Sequence, residues 1–254
     1  MPDQLKKIAF LAPKPGMPDA AFREYWRETH GPLVAGSPGY GTWRSRYVQN
    51  HVRGRGPVGD AFAFSGIAEF WLPGASPNED AFSATPIYRD RIRIDEMNFI
   101  DMDRTVSMTA VEELLKPGGG GAKLVIMSSR APGIGRGEFR RRLATDYAPA
   151  ALAARDFGGR IAGWSVDHVI EGSFRLPGAR PVSALSVDCI EEIWFASSAD
   201  MTAAFTCAEY AQAIAPRAAR LFAASRRSSF LAEEHVFVDQ GRPVTAAGTI
   251  AAGG

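Results

Sequence analysis

Short apolar runs alternate with amphipathic stretches along the first half of the chain. Residues 7–12 form an apolar run closed by a proline, which predicts a buried strand followed by a turn. Residues 44–52, 64–72 and 106–111 are rich in β-branched and aromatic side chains, and each predicts a further strand. The pattern therefore predicts four strands in the first half.

A helix is predicted between the first two of these strands. Phe22, Trp26 and His30 recur every four residues, so their side chains share one helix face. We expect the helix to begin near Asp19 and to end at the Gly-Pro pair that follows His30. Glycine caps helices, and proline cannot continue their hydrogen-bond ladder.

A second helix is predicted to begin where residues 76–79 read Ser-Pro-Asn-Glu. Serine is a favoured helix cap, proline fits the first turn, and the glutamate completes a capping box. The predicted order is strand, helix, two strands, helix, strand, which is the ferredoxin-like β-α-β-β-α-β unit. Helices cover one face of such a sheet, so the other face needs a partner.

The second half of the chain repeats the first in outline. The strand that carries His51 returns with His168, 117 positions later, and Trp71 returns as Trp194, 123 positions later. A period this long indicates a duplicated domain. We therefore predict an α+β fold of two tandem ferredoxin-like repeats whose sheets pack face to face within one chain.

The repeat also sets the expected domain limits. We expect a first domain over residues 1–115, a glycine-rich linker over 116–122, a degenerate second copy over 123–238 and a low-information tail over 239–254 that frays.

Composition narrows the classes of function. The 254 residues are 46% hydrophobic and 22% charged, which is typical of a soluble globular protein. A net charge of +1 gives no electrostatic reason to expect nucleic acid or a membrane surface as partner. The start of the chain lacks the apolar stretch of a secretory signal, and the two cysteines match no CxxC spacing. We expect a cytoplasmic protein whose oligomeric state, a homodimer included, stays open.

Motifs of the first half resemble a known family. The chain reads FRxYW from Phe22 and HGPL from His30, then YVQNH over 47–51 and EFW over 69–71. These motifs are similar to those of EthD domains, a branch of the dimeric α+β barrel superfamily. The resemblance implies an intrachain dimeric α+β barrel. It also implies chemistry without a cofactor on a small aromatic or polyketide-like compound, in a group of relatives that includes dehydratases, cyclases, monooxygenases and isomerases.

The two repeats differ where chemistry is expected, because His30 of the first is Tyr147 in the second. His51 shares a strand face with Tyr47 and Gln49, an unusual polar set for a packing face. We expect His51 to act as a base, His30 as an acid or oxyanion donor and Tyr47 as a polar positioner. The alternative is that both histidines are structural, His30 at the edge of the core and His51 near a strand end.

Further residues are predicted to contact the substrate. Glu69 stands between large apolar residues of its strand face, so it either titrates as an acid or base or pairs with Arg44 or Arg46. The helical spacing of Trp26 is compatible with a place in a pocket wall and with a place in the core. The predicted substrate-binding residues are Trp26, Trp43, Gln49, Glu69 and Trp71.

The leading functional hypothesis is a cofactor-independent lyase that eliminates water by histidine acid-base catalysis. Alternatives are a cofactor-free monooxygenase or cyclase, or a non-catalytic small-molecule-binding module. No metal site is predicted, because HExxH and other local ligand spacings are absent. No cofactor is expected, although one axial histidine would be enough for haem.

Overall fold

A computed structural model describes residues 4–74, 81–170, 176–181 and 185–244. In these ranges the chain forms a closed antiparallel barrel of eight strands, with helices packed on its outer surface. The predicted start of the second helix, at 76–79, lies outside the described residues.

The strands are β1 (Gln4–Leu11), β2 (Arg46–Arg55), β3 (Asp60–Ala61), β4 (Gly66–Leu72), β5 (Val106–Lys116), β6 (Ala122–Arg130), β7 (Ile161–Ile170), β8 (Arg180–Pro181), β9 (Cys189–Phe195), β10 (Phe222–Asp239) and β11 (Arg242–Pro243). The short strands β3, β8 and β11 pair with barrel strands from outside the closed ring. The four strands predicted in the first half correspond to β1, β2, β4 and β5.

The helices are α1 (Asp19–Tyr25), α2 (Gly31–Ala35), α3 (Tyr40–Trp43), α4 (Arg93–Phe99), α5 (Arg136–Arg142), α6 (Ala148–Ala153), α7 (Arg155–Gly158), α8 (Ser198–Thr206) and α9 (Ala215–Leu221). A 3-10 turn spans Phe82–Ala84, and wider π-helical turns span Trp26–His30, Tyr88–Ile92, Leu143–Tyr147 and Tyr210–Ile214.

The barrel strands follow one another in the order β1-β4-β2-β10-β6-β9-β7-β5, and β5 pairs with β1 to close the ring. The first-half strands stand in the order β5-β1-β4-β2, and the second-half strands in the corresponding order β10-β6-β9-β7. The halves join along two seams, β2 with β10 and β5 with β7. Their sheets therefore meet edge to edge around a common interior and are not simply stacked face to face, and the closed ring leaves no free edge.

Three apolar clusters fill this architecture. The barrel interior holds one, which includes Ile8 and Phe10 of β1. The other two lie between the barrel and the helices, one in each half, and Leu11 belongs to the first-half cluster. Side chains alternate between these clusters along each strand because successive residues point to opposite faces.

The prediction that the first helix ends at Gly31 and Pro32 was wrong. The Gly31 N–H donates to the Trp26 carbonyl five residues back, and Pro32 then lies in the first turn of α2. A proline is tolerated there because its missing N–H is not needed. Two further π-helical turns, Leu143–Tyr147 and Tyr210–Ile214, are likewise followed by a proline in the first turn of the next helix.

The first residues of the predicted tail are ordered. Strand β10 continues to Asp239, and β11 folds back on it through the pairs Val238↔Pro243 and Asp239↔Arg242. Gly241 lies against Gly41 so closely that a Cβ on Gly41 would meet the Gly241 carbonyl. The remainder of the predicted tail, 245–254, lies outside the described residues.

Candidate active site

A small cavity lies between the first-half helices and the outer face of the barrel, and among the described residues Leu176 is its one lining residue from the second half. Its free volume is about 30 Å³. That is room for water, and an aromatic substrate requires the lining side chains to move. The polar and aromatic residues of its wall include Lys7, His30, Tyr40, Arg44, Phe70, Tyr88 and Glu96.

His30 is the histidine of this wall, and a carboxylate orients it. Its Nδ1 lies 2.7 Å from Asp95 Oδ2, and the Phe99 ring packs beside it at 4.9 Å between centroids. The Tyr25 hydroxyl donates to the other Asp95 oxygen at 2.6 Å. Burial alone would raise the pKa of Asp95, but the hydrogen bonds from His30 and Tyr25 outweigh it and hold that pKa below its usual range.

An ionised Asp95 fixes the tautomer of His30. The carboxylate accepts a hydrogen bond, so the proton of the neutral ring belongs on Nδ1 and Nε2 keeps its lone pair. This is how an aspartate orients the base of a catalytic triad. His30 therefore lines the cavity, while Asp95 lies outside the lining and orients its ring.

Unlike Asp95, the neighbouring carboxylate Glu96 lines the cavity itself. The Tyr88 hydroxyl donates to Glu96 Oε2 at 2.9 Å, and Arg93 lies 3.3 Å from the same oxygen. Sequence reasoning missed both Asp95 and Glu96. The available signal was the spacing of Tyr88, Ile92, Asp95, Glu96 and Phe99, which places two carboxylates on the apolar face of the second helix.

His51 lies on the outward face of β2 with Tyr47 and Gln49. The Trp26 ring stacks on His51 at 4.3 Å and 16°. The Gln49 amide donates to the Tyr47 hydroxyl at 2.8 Å and to the Trp26 carbonyl at 2.9 Å, and its oxygen lies 2.8 Å from His51 Nε2. The buried Gln49 thus links the strand to the π-helical turn.

Burial makes His51 a weak base. It lowers the pKa of His51 to about 2, and the neighbouring His235 and Arg27 act in the same direction. The His235 ring meets His51 edge-on at 4.9 Å. Burial likewise raises the pKa of Tyr47. His51 therefore stays neutral, and Tyr47 stays protonated, across the physiological range.

The structure does not bring all the predicted site residues together. Among the described residues, His30 lines the cavity, whereas His51, Tyr47 and Gln49 lie outside its lining; Tyr47 stacks at 4.7 Å on Phe70, which does line it. Trp26 is buried beside His51, and its indole Nε1 has no hydrogen-bond partner among the described residues.

The other predicted residues lie elsewhere. Trp43, at the end of α3, is 37% exposed. Trp71 points into the barrel, where its Nε1 donates to Glu112 at 2.9 Å and the Lys6 ammonium lies 4.2 Å from its ring centroid. Neither lines the cavity.

Glu69 also points into the barrel, where it pairs with lysine. Its Oε1 lies 3.2 Å from Lys6 Nζ, and its Oε2 accepts a hydrogen bond from Asn50 at 2.6 Å. Burial, then the nearby Glu192, raises the pKa of Glu69 to about 7. The ion pairs here use Lys6 and Lys123 instead of the arginines considered from sequence. We call this group the interior ion cluster; its members are Lys6, Glu69, Glu112, Lys123, Asp167, Glu192 and Glu234.

The carboxylates of this cluster surround a protein cation. Ligand atoms of Glu69, Asp167 and Glu192 lie within 4.8 Å of one another, close enough to bind a metal ion. Lys6 Nζ, however, lies within 3.2 Å of an oxygen of each. The ammonium therefore supplies the positive charge that these carboxylates need.

A family comparison agrees with this architecture. The EthD domain model matches residues 14–103 and 131–225, which is more than half of the chain. The chain belongs to the EthD domain family. His30 and Asp95 both lie in the first matched segment of this EthD protein.

Solved structures share the fold at low identity. A Lactobacillus acidophilus NCFM protein named "putative monooxygenase" aligns with a TM-score of 0.56 and 10% identity, over 94% of this chain and 97% of its own. An anthrone oxidase-like protein aligns with a TM-score of 0.50 and 10% identity, over 92% and 93%. No curated protein matched. None of the described helices is both long and apolar enough to cross a membrane.

Proposed function

We propose that this EthD protein is an enzyme in which His30 moves a proton on a small aromatic or polyketide-like compound. The observation that carries the proposal is the 2.7 Å contact between Asp95 Oδ2 and the Nδ1 of His30, which lines the cavity. The pair resembles the His–Asp part of a catalytic triad, and it leaves Nε2 to accept a proton. Phe70, Phe82 and Tyr40 in the same wall suit a planar substrate.

The reaction class we favour is elimination of water. His30 Nε2 takes a proton from a carbon beside a substrate carbonyl, and the carbon–oxygen bond at the next carbon breaks. The departing hydroxide then takes the proton back from His30 and leaves as water. Lys7 and Arg44 also line the cavity, and their positive charge suits an enolate oxygen that develops there.

A cofactor-free monooxygenase is the second candidate, and the names of the two structural neighbours favour it. The first step is the same proton removal by His30. The resulting carbanion then bonds to O₂, and the hydroperoxide formed after protonation loses water to leave a carbonyl group. Both candidates use the same residues, so the fate of oxygen separates them.

Turnover with and without oxygen tests both candidates. Purified protein would be given an anthrone and a β-hydroxyketone, each under argon and in air with an oxygen electrode. Elimination predicts equal rates of water loss in both atmospheres, whereas a monooxygenase predicts product only in air, with oxygen consumed in proportion. Equal turnover by a His30→Ala variant would refute the proton-transfer role. A colourless protein that stays active after chelation would support chemistry without a cofactor.

The proposal changes the roles expected from sequence. The base role passes from His51 to His30, and His51, Tyr47 and Gln49 become positioning residues that hold Trp26 and the π-helical turn. Trp43, Glu69 and Trp71 have no substrate contact in this proposal, because none of them lines the cavity.

We also propose that the halves are tandem ferredoxin-like copies. The matching strand order in each half and the two family-model segments support this reading. The limits are those expected from sequence, with domains over 1–115 and 123–238. A cytoplasmic location is proposed because Cys189 and Cys207 are both free thiols.

A further inference from the structure

A larger cavity opens at the mouth of the barrel, at the end opposite the interior ion cluster. Strand β1 places Lys6 in that cluster and Phe10, four residues later, in the floor of the cavity. Met127 of β6 lies beside Phe10 in the floor. The cavity volume is about 420 Å³, within the range of roughly 300–1,000 Å³ that holds small molecules. We call it the mouth cavity.

One wall of the mouth cavity is aromatic. Phe62 packs edge-on against Phe10 at 5.2 Å, and Phe64 lies 5.2 Å from Phe62. Behind them, Phe62 stacks on the buried Phe230 at 4.8 Å and 15°. Phe62 and Phe64 are themselves only half-buried, so part of each ring faces the open volume.

The facing wall is aliphatic, and the sequence repeat explains why. Leu185 and Val187 stand 123 positions after Phe62 and Phe64, and all four line the cavity. The second copy therefore supplies branched aliphatic side chains where the first supplies rings. An aromatic wall opposite an aliphatic wall forms a slot for a flat ring system.

The rim is polar and carries charges of both signs. Ser225 and Ser228 provide hydroxyl groups. Arg226 and Asp60 both line the cavity and are exposed, and neither forms an ion pair within the described part of the chain. Arg227 also lines the cavity, but its guanidinium is paired with Glu191 at 3.3 Å. Rim charges of opposite sign select neither an anion nor a cation. Hydroxyl and carbonyl substituents suit such a rim better than a full charge.

We infer that the mouth cavity is a second binding site, for an uncharged planar aromatic molecule with hydroxyl or carbonyl substituents. It is separate from the His30 cavity, since the two share no lining residue. The aromatic wall supplies stacking, the aliphatic wall closes the slot, and the rim contacts the polar substituents. The site does not depend on the chemistry proposed for His30.

Fluorescence titration with N-phenyl-1-naphthylamine, an uncharged aromatic probe, tests the inference. We expect saturable binding to the full-length protein. The double variant F62L/F64V, which gives the first copy the side chains of the second, should weaken binding about tenfold, because two ring–ring contacts are lost. The control Trp43→Leu removes a part-exposed ring outside the cavity and should leave the affinity unchanged.

A second variant keeps the inference testable if F62L/F64V fails to fold. Ser225 is exposed, so Ser225→Trp should leave the melting transition unchanged while its indole fills the mouth and blocks the probe. Absence of saturable binding, or unchanged affinity in Ser225→Trp and F62L/F64V, would overturn the inference. Binding lost in Phe70→Leu but kept in both mouth variants would assign the probe to the His30 cavity, and would also overturn it.

Discussion

Lys6 Nζ lies 2.7 Å from Glu192 Oε1, and this contact crosses the barrel interior from one half to the other. Lys6 belongs to β1 and Glu192 to β9, two strands that are not neighbours in the ring. The reciprocal pair, Lys123 with Glu69, lies at 3.7 Å. The two halves are therefore joined by ion pairs across the interior as well as by their two seams.

Replacing Lys6 with methionine should destabilise the protein strongly. The change leaves buried carboxylates without their cation, and breaking a buried ion pair from one side typically costs about 3–5 kcal/mol. Urea unfolding measures this loss. Lys14→Met is the control, because Lys14 is an exposed lysine that donates to a carbonyl. Equal stabilities of the two variants would contradict the role given to Lys6.

Glu69 should contribute a loss of stability as pH rises from about 5 to about 7, whereas the lowered pKa values of the buried His51 and His235 act in the opposite direction. A carboxyl whose pKa is raised to about 7 in the folded state holds a proton that the unfolded chain has already released above its usual pKa near 4.5. At this carboxyl the native state then binds more protons than the unfolded state, so the contribution of Glu69 to stability falls with pH in this window. Burial raises the pKa of Asp167 as well, in the same direction.

Glu69→Gln tests this assignment. The glutamine does not titrate but the histidines still do, so between these pH values the free energy of unfolding of the variant, measured with urea, should rise relative to that of the native chain. An unchanged pH dependence would mean that Glu69 is not the group that titrates.

Replacing His30 with alanine should lower turnover by roughly 100-fold or more, the usual scale for a positioned acid or base. Asp95→Asn should lower kcat with little change in KM, since it removes the charge that fixes the His30 tautomer. His168→Ala is the control: His168 lies in the second half and pairs with Glu113 at 2.8 Å. Comparable losses for His30→Ala and His168→Ala would argue against a single site.

His51→Ala should weaken the fold rather than change the pH profile of the reaction. The alanine removes a ring stacked on Trp26 and leaves the Gln49 oxygen unpaired, which together should lower the free energy of unfolding by about 2–4 kcal/mol. Because the pKa of His51 is about 2, its loss should move no pH–rate inflection between pH 5 and 8. An inflection that disappears with His51 would restore it as the base.

Gly31→Ala should also destabilise the protein. A Cβ there would lie 2.3 Å from the Phe237 ring and 2.8 Å from Gln49 Nε2, so the packing must shift by an amount that usually costs about 1–3 kcal/mol. Gly135→Ala is the control, since nothing lies within 4 Å of its Cβ position. Thermal melts of the two variants side by side measure the difference.

The sequence predicted the elements better than the contacts between them. Periodicity placed Phe22, Trp26 and His30 on one face, because those residues are close along the chain. The partner of His30, however, is 65 positions away, and the carboxylates that hydrogen-bond to Lys6 are 63, 161 and 186 positions away. A lysine at the start of a strand usually lies at the surface. Only the closed barrel reveals that this one is buried.

The seam between β2 and β10 means that the packing around Tyr47 and His51, behind the candidate site, is completed last. Phe237 and His235 belong to the final barrel strand, yet their rings lie 5.3 Å from Tyr47 and 4.9 Å from His51 in the first half. During synthesis, the ribosome completes the first half before it adds Phe237 and His235. The first half cannot be excised as a working unit, because the other end of the gene encodes part of its packing.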